Sequence, residues 1–384
     1  MRIATVLLLV LTVALLATNA TARTWNVPGE APTIQAGIDS ASAADTVLGA
    51  AGTYYEHDVA LKNGVVVLSE SGHDATTIDG SAAGTVIIAS GSMSPSTVLD
   101  GFTITNGSGG NYPNSGGGIL CIGGASPTIS NNAITDNEVE RGDLGYGGGI
   151  YCYGGGTDPI VENNTITHNY ASQCGGGMGC DTGANPVIRN NFIAFNMTEG
   201  NGGAIYLYGA TPLISDNLVV ANTCGVDGSG VFLTYYSHPE IMGNTFWNNV
   251  SAGSHNMGTI AIDAWEPCPV IRNNIITGDT AHGIYSGFDP SCLTIECNDV
   301  WGNALGSFGG TIPDLCGVDC NICLDPLFCD PDNGDFTLCE HSPCLPGNHP
   351  DACDCGLIGA FGQGCSCPTA TEQTTWGGVK SMFR

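Results

Sequence analysis

Asp181 and the aromatic residues near it are the side chains of this sequence whose types and spacing best suit surface chemistry. In an alignment of the repeated segments, Asp181 falls between Tyr153 and Tyr208 on consecutive repeats. Two positions earlier in each segment, the alignment adds three more rings, Tyr151, Tyr206 and Phe232. Aromatic rings pack on the C–H faces of sugars, while phenol hydroxyls and carboxylates bond to their polar edges. We predict an outward aromatic face that binds sugar; the alternative is that tyrosine merely suits a pleated surface.

The catalytic partners of such a carboxylate are harder to find. Asp181 is the candidate catalytic or cation-binding carboxylate, but Asp263, on the same face, lies three repeats away. That separation is about 14 Å at the spacing of β-strands, wider than the roughly 5 to 9.5 Å between the paired carboxylates of glycosidases. Arg189 and Arg272 align beside glutamates of neighbouring repeats, so they are predicted to form ion pairs. Arg141, in the long loop 138–143, is therefore the candidate base.

A repeated phrase, Pro-x-Ile-x-x-Asn-x-Ile-x-x-Asn, fixes the position of all these residues. It occurs in seven variants between residues 127 and 303, spaced by 24 to 32 residues, and such a period predicts a solenoid. Asparagine tolerates the left-handed backbone of a tight corner, and its amide can bond to the same residue of the next coil. We therefore predict a structural ladder at Asn132, Asn164, Asn191, Asn217, Asn244, Asn274 and Asn298.

Each repeat contains three short apolar runs separated by glycine and asparagine turns, which predict strands of about three to five residues. A leucine-rich repeat has a similar period, but it requires a Leu-x-x-Leu-x-Leu strand that these β-branched, glycine-rich segments lack. Three stacked strands per turn predict an all-β parallel β-helix solenoid. Two stacks of inward residues are expected, at Ile129, Val161, Ile188, Ile214, Ile241, Ile271 and Ile295, and at Ile134, Ile166, Ile193, Val219, Phe246, Ile276 and Val300.

Composition indicates an exported protein with few charges. Residues 1–22 have Arg2, an apolar run from Ile3 to Leu16 and a small-residue cleavage site, which predict a signal peptide. No later segment is apolar for the roughly 18 residues that a membrane span requires. The formal net charge of −28 argues against nucleic acid as a partner. The 11% of charged residues favours neutral hydrogen bonding over ionic recognition, although calcium could offset part of the acidity.

Eighteen cysteines predict disulfides, since the chain is expected to be exported. Cys268 and Cys292 align on adjacent coils, where Cα atoms about 4.8 Å apart suit a bridge, so this is the disulfide candidate. Cys121, Cys152 and Cys180 align on one inward column and predict a buried ladder with at most one bridge. Zinc is the alternative for part of the C-terminal set, Cys316, Cys320, Cys323, Cys353, Cys355, Cys365 and Cys367.

The repeat pattern resembles the right-handed parallel β-helix proteins of the pectate-lyase-like superfamily. Pro32-Thr33-Ile34-Gln35-Ala36 and Gly52-Thr53-Tyr54-Tyr55-Glu56 resemble the family's N-terminal cap and first coil, and Thr33 would cap a short helix. Asp325-Pro326-Leu327-Phe328 resembles the end cap of secreted bacterial members. The expected organisation is a signal peptide at 1–22, a β-helix at 23–303 with an N-terminal cap at 23–60 and asparagine-ladder coils at 116–303, a cysteine-rich cap at 304–367 and a tail at 368–384.

The resemblance implies several functions for such a column. A pectate-type lyase would need calcium and a basic residue, for which Arg141 is the candidate, whereas the aspartate motifs of polygalacturonases and pectin methylesterases are missing. Gly202-Gly203-Ala204-Ile205 and Phe246-Trp247-Asn248-Asn249 also resemble repeats of adhesin-like polymorphic surface proteins. We expect a secreted or surface protein that binds polysaccharide or cell-surface glycan. The alternatives are a polysaccharide lyase or glycoside hydrolase, and a structural adhesin without catalysis.

Overall fold

Parallel strands wind into a column, and the C-terminal segment folds back onto one of its walls. The computed structural model describes residues 21–110, 115–140, 145–253, 257–263, 266–288 and 292–367. The expected signal peptide, apart from its last two residues, lies outside the described residues, as do Arg141 and the tail 368–384. Each turn of the column adds one strand to sheet A, then one to sheet B and one to sheet C.

Sheet A contains eleven strands in the described part of the chain, one for each turn. Its strands are Thr24–Val27, Thr46–Gly49, Val66–Ser69, Val98–Asp100, Thr128–Ser130, Ile160–Glu162, Val187–Arg189, Leu213–Ser215, Glu240–Met242, Val270–Arg272 and Thr294–Glu296. The strands of sheet B are Gly52–Tyr55, Thr76–Asp79, Thr103–Thr105, Ala133–Thr135, Thr165–Thr167, Phe192–Ala194, Leu218–Val220, Thr245–Trp247, Ile275–Thr277 and Asp299–Trp301.

Sheet C forms the third wall, and a narrow sheet D lies between sheets B and C. The strands of sheet C are Val59–Ala60, Ile87–Ser90, Ile119–Ile122, Ile150–Tyr153, Met178–Asp181, Ile205–Tyr208, Val231–Thr234, Gly258–Ile262, His282–Ser286 and Gly306–Gly310. Those of sheet D are Glu138–Val139, Tyr170–Ala171, Met197–Thr198, Thr223–Cys224 and Val250–Ser251. All strand pairs within these four sheets are parallel, as the repeat predicts.

The core is the interior of the column, where the two predicted stacks of aliphatic residues lie. Ile129 pairs with Val161 on the next strand of sheet A, and Val161 with Ile188. In sheet B, Ile134, Ile166 and Ile193 pair in the same way. All six of these residues are inaccessible to solvent. Because every coil buries the faces of its two neighbours, burial of these side chains accounts for much of the column's stability.

A short helix, Ile34–Ser40, covers the N-terminal end of the core. The Thr33 side chain accepts a hydrogen bond from the Ala36 amide, so Thr33 is the N-cap predicted from the sequence. The Glu56 carboxylate accepts from the amides of Ile34 and Gln35, and a negative charge at this end also suits the helix dipole. Ile34 and Ile38 are buried against the first coils.

The asparagine column connects coil to coil through buried amides. Both the main-chain N–H and the Nδ2 of Asn132 donate to Oδ1 of Asn164, at 3.0 and 3.1 Å, and the same Nδ2 donates to the Leu99 carbonyl. Asn321, beyond the last predicted repeat, accepts from Asn298 and extends the ladder. Since each amide is buried and satisfied, the ladder fixes the register of neighbouring coils.

The left-handed corner does not lie at the ladder asparagines, so that part of the prediction is wrong. The residue before each of them has positive φ instead, namely Asn131, Asn163, Asn190, Asp216, Gly243, Asn273 and Cys297. The ladder residue must point its amide along the column axis, and the preceding residue absorbs the change in chain direction. A second ladder follows at the next corner, through Asn137, Asn169, Asn196, Asn222, Asn249, Asp279 and Asn303.

The C-terminal segment is cross-linked and covers the outer face of sheet B. Its three-stranded sheet E consists of Phe328–Asp330, Asp335–Cys339 and Gln363–Cys365, with a 3₁₀ turn at Pro331–Asn333. Phe336 packs against Ala194 and Val220 of sheet B. The disulfides found among the described residues are Cys268–Cys292, Cys297–Cys355, Cys316–Cys323, Cys320–Cys353, Cys329–Cys365 and Cys339–Cys367.

The cysteines thus divide into bridged and buried groups. The zinc alternative is wrong, because every cysteine it required is in a disulfide and none is available as a thiolate. Cys121, Cys152 and Cys180 are in register on consecutive strands of sheet C, and all three are buried thiols. Burial raises the pKa of the Cys174 thiol to about 12, so this cysteine stays protonated at neutral pH.

Candidate functional site

The outer face of sheet C carries the aromatic residues predicted to bind sugar. Tyr206 and Phe232 are in register on adjacent strands, and their rings stack with centroids 5.9 Å apart. Tyr151 lies two strands away, with Gly179 between it and Tyr206. The register thus matches the sequence alignment, but the environment of these rings differs from the expected one.

Tyr151, Tyr206 and Phe232 are buried, which corrects the prediction of an outward stripe at these positions. Their exposed fractions are 2%, 8% and 3%. The segment before each strand of sheet C folds back over this column, so that Tyr146 and Cys174 pair on consecutive coils above it. The Tyr146 ring lies 6.0 Å from those of both Tyr151 and Tyr206. Alternation along a strand predicts which way a side chain points but cannot show that a loop covers it.

The aromatic surface that remains accessible lies two positions further along the strands. Tyr153 and Tyr208 are partly exposed, and Asp181 separates them in register. The Tyr208 ring stacks on Tyr235 with a centroid distance of 4.5 Å and an interplanar angle of 8°. Tyr236 meets the edge of Tyr235, and these two rings are 40% and 48% exposed. We call Tyr153, Asp181, Tyr208, Tyr235 and Tyr236 the tyrosine face.

Sequence reasoning missed Tyr235 and Tyr236 because both lie outside the aligned strands. They form the turn that follows Val231–Thr234, and both have positive φ, which is uncommon for aromatic residues. That conformation turns their rings toward the Tyr208 end of the face. A pair of tyrosines directly after a strand, where other repeats have glycine, was the available signal.

Asp181 is held at the centre of the face by two hydroxyl groups. Its Oδ2 accepts from the Tyr151 hydroxyl at 3.0 Å, and its Oδ1 accepts from the Thr182 hydroxyl at 2.5 Å. Burial raises the pKa of Asp181 above its usual value, although these hydrogen bonds act in the opposite direction. Burial also raises the pKa of Tyr151, so its hydroxyl remains a donor to the carboxylate.

Gly179 explains how Tyr151 reaches Asp181 across one strand. A Cβ atom at position 179 would lie 2.9 Å from Cδ2 of Tyr151 and 3.2 Å from Cε2. The ring therefore lies over the glycine, and its hydroxyl extends to the next side chain along that strand. A small residue at 179 is thus part of the arrangement that orients the carboxylate.

The structure does not place Asp263, Arg189 or Arg272, the described candidates from the sequence, next to Asp181. Asp263 follows the sheet C strand three coils further on, about 14 Å away at the spacing of parallel strands. Arg189 is committed to Glu162 on the outer face of sheet A, at 2.7 Å. Arg272 is in register with Glu296 on the same sheet. Arg141 lies outside the described residues, so the structure gives no distance between it and Asp181.

Calcium is the cofactor that a pectate-type lyase would need. Calcium takes six to eight oxygen ligands, usually with several carboxylates. Within the described residues, the group of three or more potential ligands that converge is Cys297, Cys320 and Cys355, and all three are in disulfides. The tyrosine face offers the single carboxylate of Asp181, so its donor set does not fit calcium.

Solved structures resemble this chain to different degrees. The chain is similar to a crystal structure of pectate lyase Pel9A, with a TM-score of 0.54 and 13% identity, over 90% of this chain and 97% of that one. The catalytic domain of a GH87 α-1,3-glucanase in complex with tetrasaccharides matches with a TM-score of 0.40 and 11% identity, over 75% of this chain and 64% of that one. The PL6 family alginate lyase AlyGC matches with a TM-score of 0.26 and 13% identity, over 76% of this chain and 54% of that one. The match to pectate lyase Pel9A shows that the two chains share a fold.

Comparisons at the level of sequence identify the family. No curated protein sequence matches the chain. In the described part of the chain, no helix is both long and apolar enough to cross a membrane. The family model for the right-handed β-helix region matches residues 63–228 and 198–312, well over half of the chain. The chain belongs to this family of right-handed β-helix proteins.

Proposed function

We propose that this protein is exported and binds a neutral polysaccharide through the tyrosine face. The observation that carries the proposal is the partly exposed series Tyr153, Asp181 and Tyr208 on consecutive coils, extended by the stacked and exposed ring of Tyr235. Rings of this kind offer flat faces to sugar C–H groups, and their hydroxyls reach sugar hydroxyls. The disulfides support export, because such bonds persist in oxidising compartments.

The direction of the series suits a chain that runs along the column. Tyr153 and Tyr208 are separated by two coils, about 9.6 Å at the spacing of parallel strands. A polysaccharide lying along the column axis would contact both rings and place a hydroxyl near Asp181 between them. Asp181 then acts as a hydrogen-bond acceptor whose position is fixed by Tyr151 and Thr182.

Charge favours a neutral glycan over an anionic one. The chain has 36 acidic and 8 basic residues, so an anionic polymer is repelled over most of the surface. The centre of the tyrosine face is itself a carboxylate. A neutral polysaccharide meets no such penalty, and its hydroxyls can donate to Asp181.

Catalysis on a polysaccharide is the second candidate, and the environment of Asp181 favours it. A carboxyl group whose pKa is raised by burial is suited to act as a general acid. Against it, the nearest carboxylate in the same register, Asp263, is about 14 Å away, beyond the roughly 5 to 9.5 Å of glycosidase pairs. Binding without cleavage requires only the rings and one acceptor.

Affinity electrophoresis through gels that contain neutral polysaccharides tests the proposal. We expect retardation by at least one glycan, about tenfold weaker binding for Tyr208→Ala and Tyr235→Ala, and no change for the control Tyr55→Ala. Tyr55 is 74% exposed but lies on sheet B, so it controls for loss of a surface tyrosine. Equal retardation of all variants, or none with any glycan, would contradict the proposal.

The same samples are assayed for release of reducing and unsaturated ends. Retardation without release supports a binding protein. Release that is lost in Asp181→Asn, with retardation kept, would replace this proposal with the enzymatic one.

A further inference from the structure

A second aromatic site lies on a different wall of the column, where the C-terminal segment meets sheet B. A cleft of about 710 Å³ is lined by Trp247, Thr277 and Trp301 on the sheet and by Asp325, His341 and Ser366 on the C-terminal segment. None of these residues belongs to the tyrosine face, which lies on sheet C. The repeat alignment did not predict a site here, since Trp247 and Trp301 occupy strand ends where the other asparagine-ladder repeats have Thr, Ala or Val.

The sheet wall of the cleft has two indole rings on either side of a small floor. Trp247, Thr277 and Trp301 are in register on three consecutive strands of sheet B. The two tryptophans are therefore two coils apart, about 9.6 Å at the spacing of parallel strands. Thr277 between them is buried, whereas Trp301 is 39% exposed. Indole surface of this extent, left accessible beside a cleft, is the kind of feature that marks a binding site.

Packing holds Trp247 in place from the side away from Trp301. The edge of Phe336 meets the Trp247 ring at 5.3 Å, and Phe336 in turn meets Phe328 at 5.5 Å. Phe336 is itself buried against sheet B. Trp247 is therefore a fixed wall, and Trp301 is the more accessible of the two rings.

The opposite wall is held by covalent bonds. The Cys329–Cys365 and Cys339–Cys367 disulfides both border the cleft and tie together the three strands of sheet E. At the rim, Oδ1 of Asp325 accepts the Leu327 amide at 2.9 Å, which fixes the orientation of this carboxylate. A cleft with walls fixed in this way loses little conformational entropy when a ligand binds.

We propose that this cleft is a second carbohydrate-binding site, which takes a short segment of a neutral oligosaccharide. The two indoles supply apolar faces for sugar rings, and the Thr277 hydroxyl, the Asp325 carboxylate, the His341 imidazole and the Ser366 hydroxyl supply bonds to sugar hydroxyls. Anionic ligands are disfavoured, because Asp325 lines the cleft and Glu340 lies 3.9 Å from His341. The proposal rests on these residues and does not require that the tyrosine face bind anything.

Tryptophan fluorescence tests the site because two of the five tryptophans line it. The probes are cello-, xylo-, manno- and laminari-hexaose, added to the full chain and to the Tyr208→Ala/Tyr235→Ala variant. We expect at least one hexaose to change the emission with saturation in both proteins. Trp301→Ala is expected to weaken that binding at least about tenfold, and Trp301→Tyr, which keeps an aromatic face, no more than about threefold.

Each other outcome counts against the site. No saturable change with any of the four hexaoses, or equal affinity for Trp301→Ala and the parent, would overturn the proposal. A saturable change that disappears in the Tyr208→Ala/Tyr235→Ala variant would assign all binding to the tyrosine face and also overturn it. Because Trp301 is exposed, Trp301→Ala should keep the parent's unfolding temperature, which checks that a lost signal is not lost structure.

Discussion

Asp279 is the one acidic member of the second asparagine ladder among the residues described, and replacing it with asparagine should stabilise the protein at alkaline pH. Its Oδ1 accepts from the main-chain and side-chain N–H groups of Asn249, as an asparagine would. Its Oδ2 is buried and makes no hydrogen bond in the described structure, and the nearby Thr259 hydroxyl, which lowers the pKa of this carboxyl, makes none either. In the other members this position is an amide nitrogen, as when Asn303 donates to the Ile276 carbonyl.

The ladder geometry explains why an ionised Asp279 is unfavourable at this position. An asparagine at 279 would donate to the Phe246 carbonyl and to Oδ1 of Asn303, following the pattern of Asn222 and Asn249. An ionised aspartate instead places an oxygen against two acceptors. Burial raises the pKa of Asp279 from 3.8 to about 7, so at acidic pH the group carries a proton that can serve as the missing donor.

The size of the effect follows from this pKa. A carboxyl whose folded pKa is raised contributes its full stability below the unfolded value, near 3.8, and that stability is lost as pH rises to about 7. The free energy of unfolding lost through the raised pKa of Asp279 is about 4 kcal/mol at pH 8 and less than about 1 kcal/mol near pH 4. For 384 residues the unfolding entropy is about 0.8 kcal/mol per kelvin. The loss of stability at pH 8 relative to pH 4 therefore lowers Tm by about 4 to 5 °C.

Thermal unfolding of the parent and Asp279→Asn between pH 4 and pH 8 measures this effect. The gain in Tm from the substitution should be about 4 to 5 °C larger at pH 8 than at pH 4. Asp136→Asn, which removes an exposed carboxylate near the same ladder, controls for the change in net charge. A gain that is the same at both pH values, or a lower Tm for Asp279→Asn at pH 8, would refute the reasoning.

Two further predictions concern the environments of the Asp181 and Asp299 carboxylates. Gly179→Ala should destabilise the protein by about 1 to 3 kcal/mol in denaturant unfolding and weaken glycan binding. The reason is that the added Cβ would lie 2.9 Å from the Tyr151 ring, whose hydroxyl orients Asp181. Unchanged stability and binding would contradict this prediction. Burial raises the pKa of Asp299 to about 7, and its Oδ2 accepts from the Cys344 thiol. Raising the pH from 5 to 8 should therefore speed hydrogen exchange in 324–345 beyond the intrinsic rate change, and Asp299→Asn should remove that excess.

Sequence alone was sufficient for the column because the information is repeated in every coil. Spacings of 24 to 32 residues between buried asparagines specify the register of each pair of neighbouring strands. The corner is a different case, since Asn131 and Asn132 are chemically identical and composition does not say which one adopts positive φ. That choice depends on which side chain faces the next coil, a property of the stacked structure.

The candidate site was less predictable because loops decide its surface. Period-2 alternation correctly placed Tyr151, Tyr206 and Phe232 on the outer face, but Tyr146 covers them from the segment before the strand, which that alternation does not describe. Tyr235 lies in a turn, where no repeat pattern applies. Residues that differ between coils therefore form the accessible surface, and the pattern that reveals the fold carries little information about them.

Under the proposed function, the rigidity of the column determines how the tyrosine face can select a ligand. Tyr153, Asp181 and Tyr208 lie on strands whose register is fixed by buried amide ladders, so their spacing follows the distance between coils and cannot adapt to the ligand. Little backbone entropy is lost on binding, which favours affinity. The same rigidity rejects a polysaccharide whose rings and hydroxyls do not match that spacing, because a mismatched chain would leave Asp181 desolvated without a donor. Selectivity in this protein should therefore depend on the geometry of the glycan chain along the column more than on the identity of any single sugar.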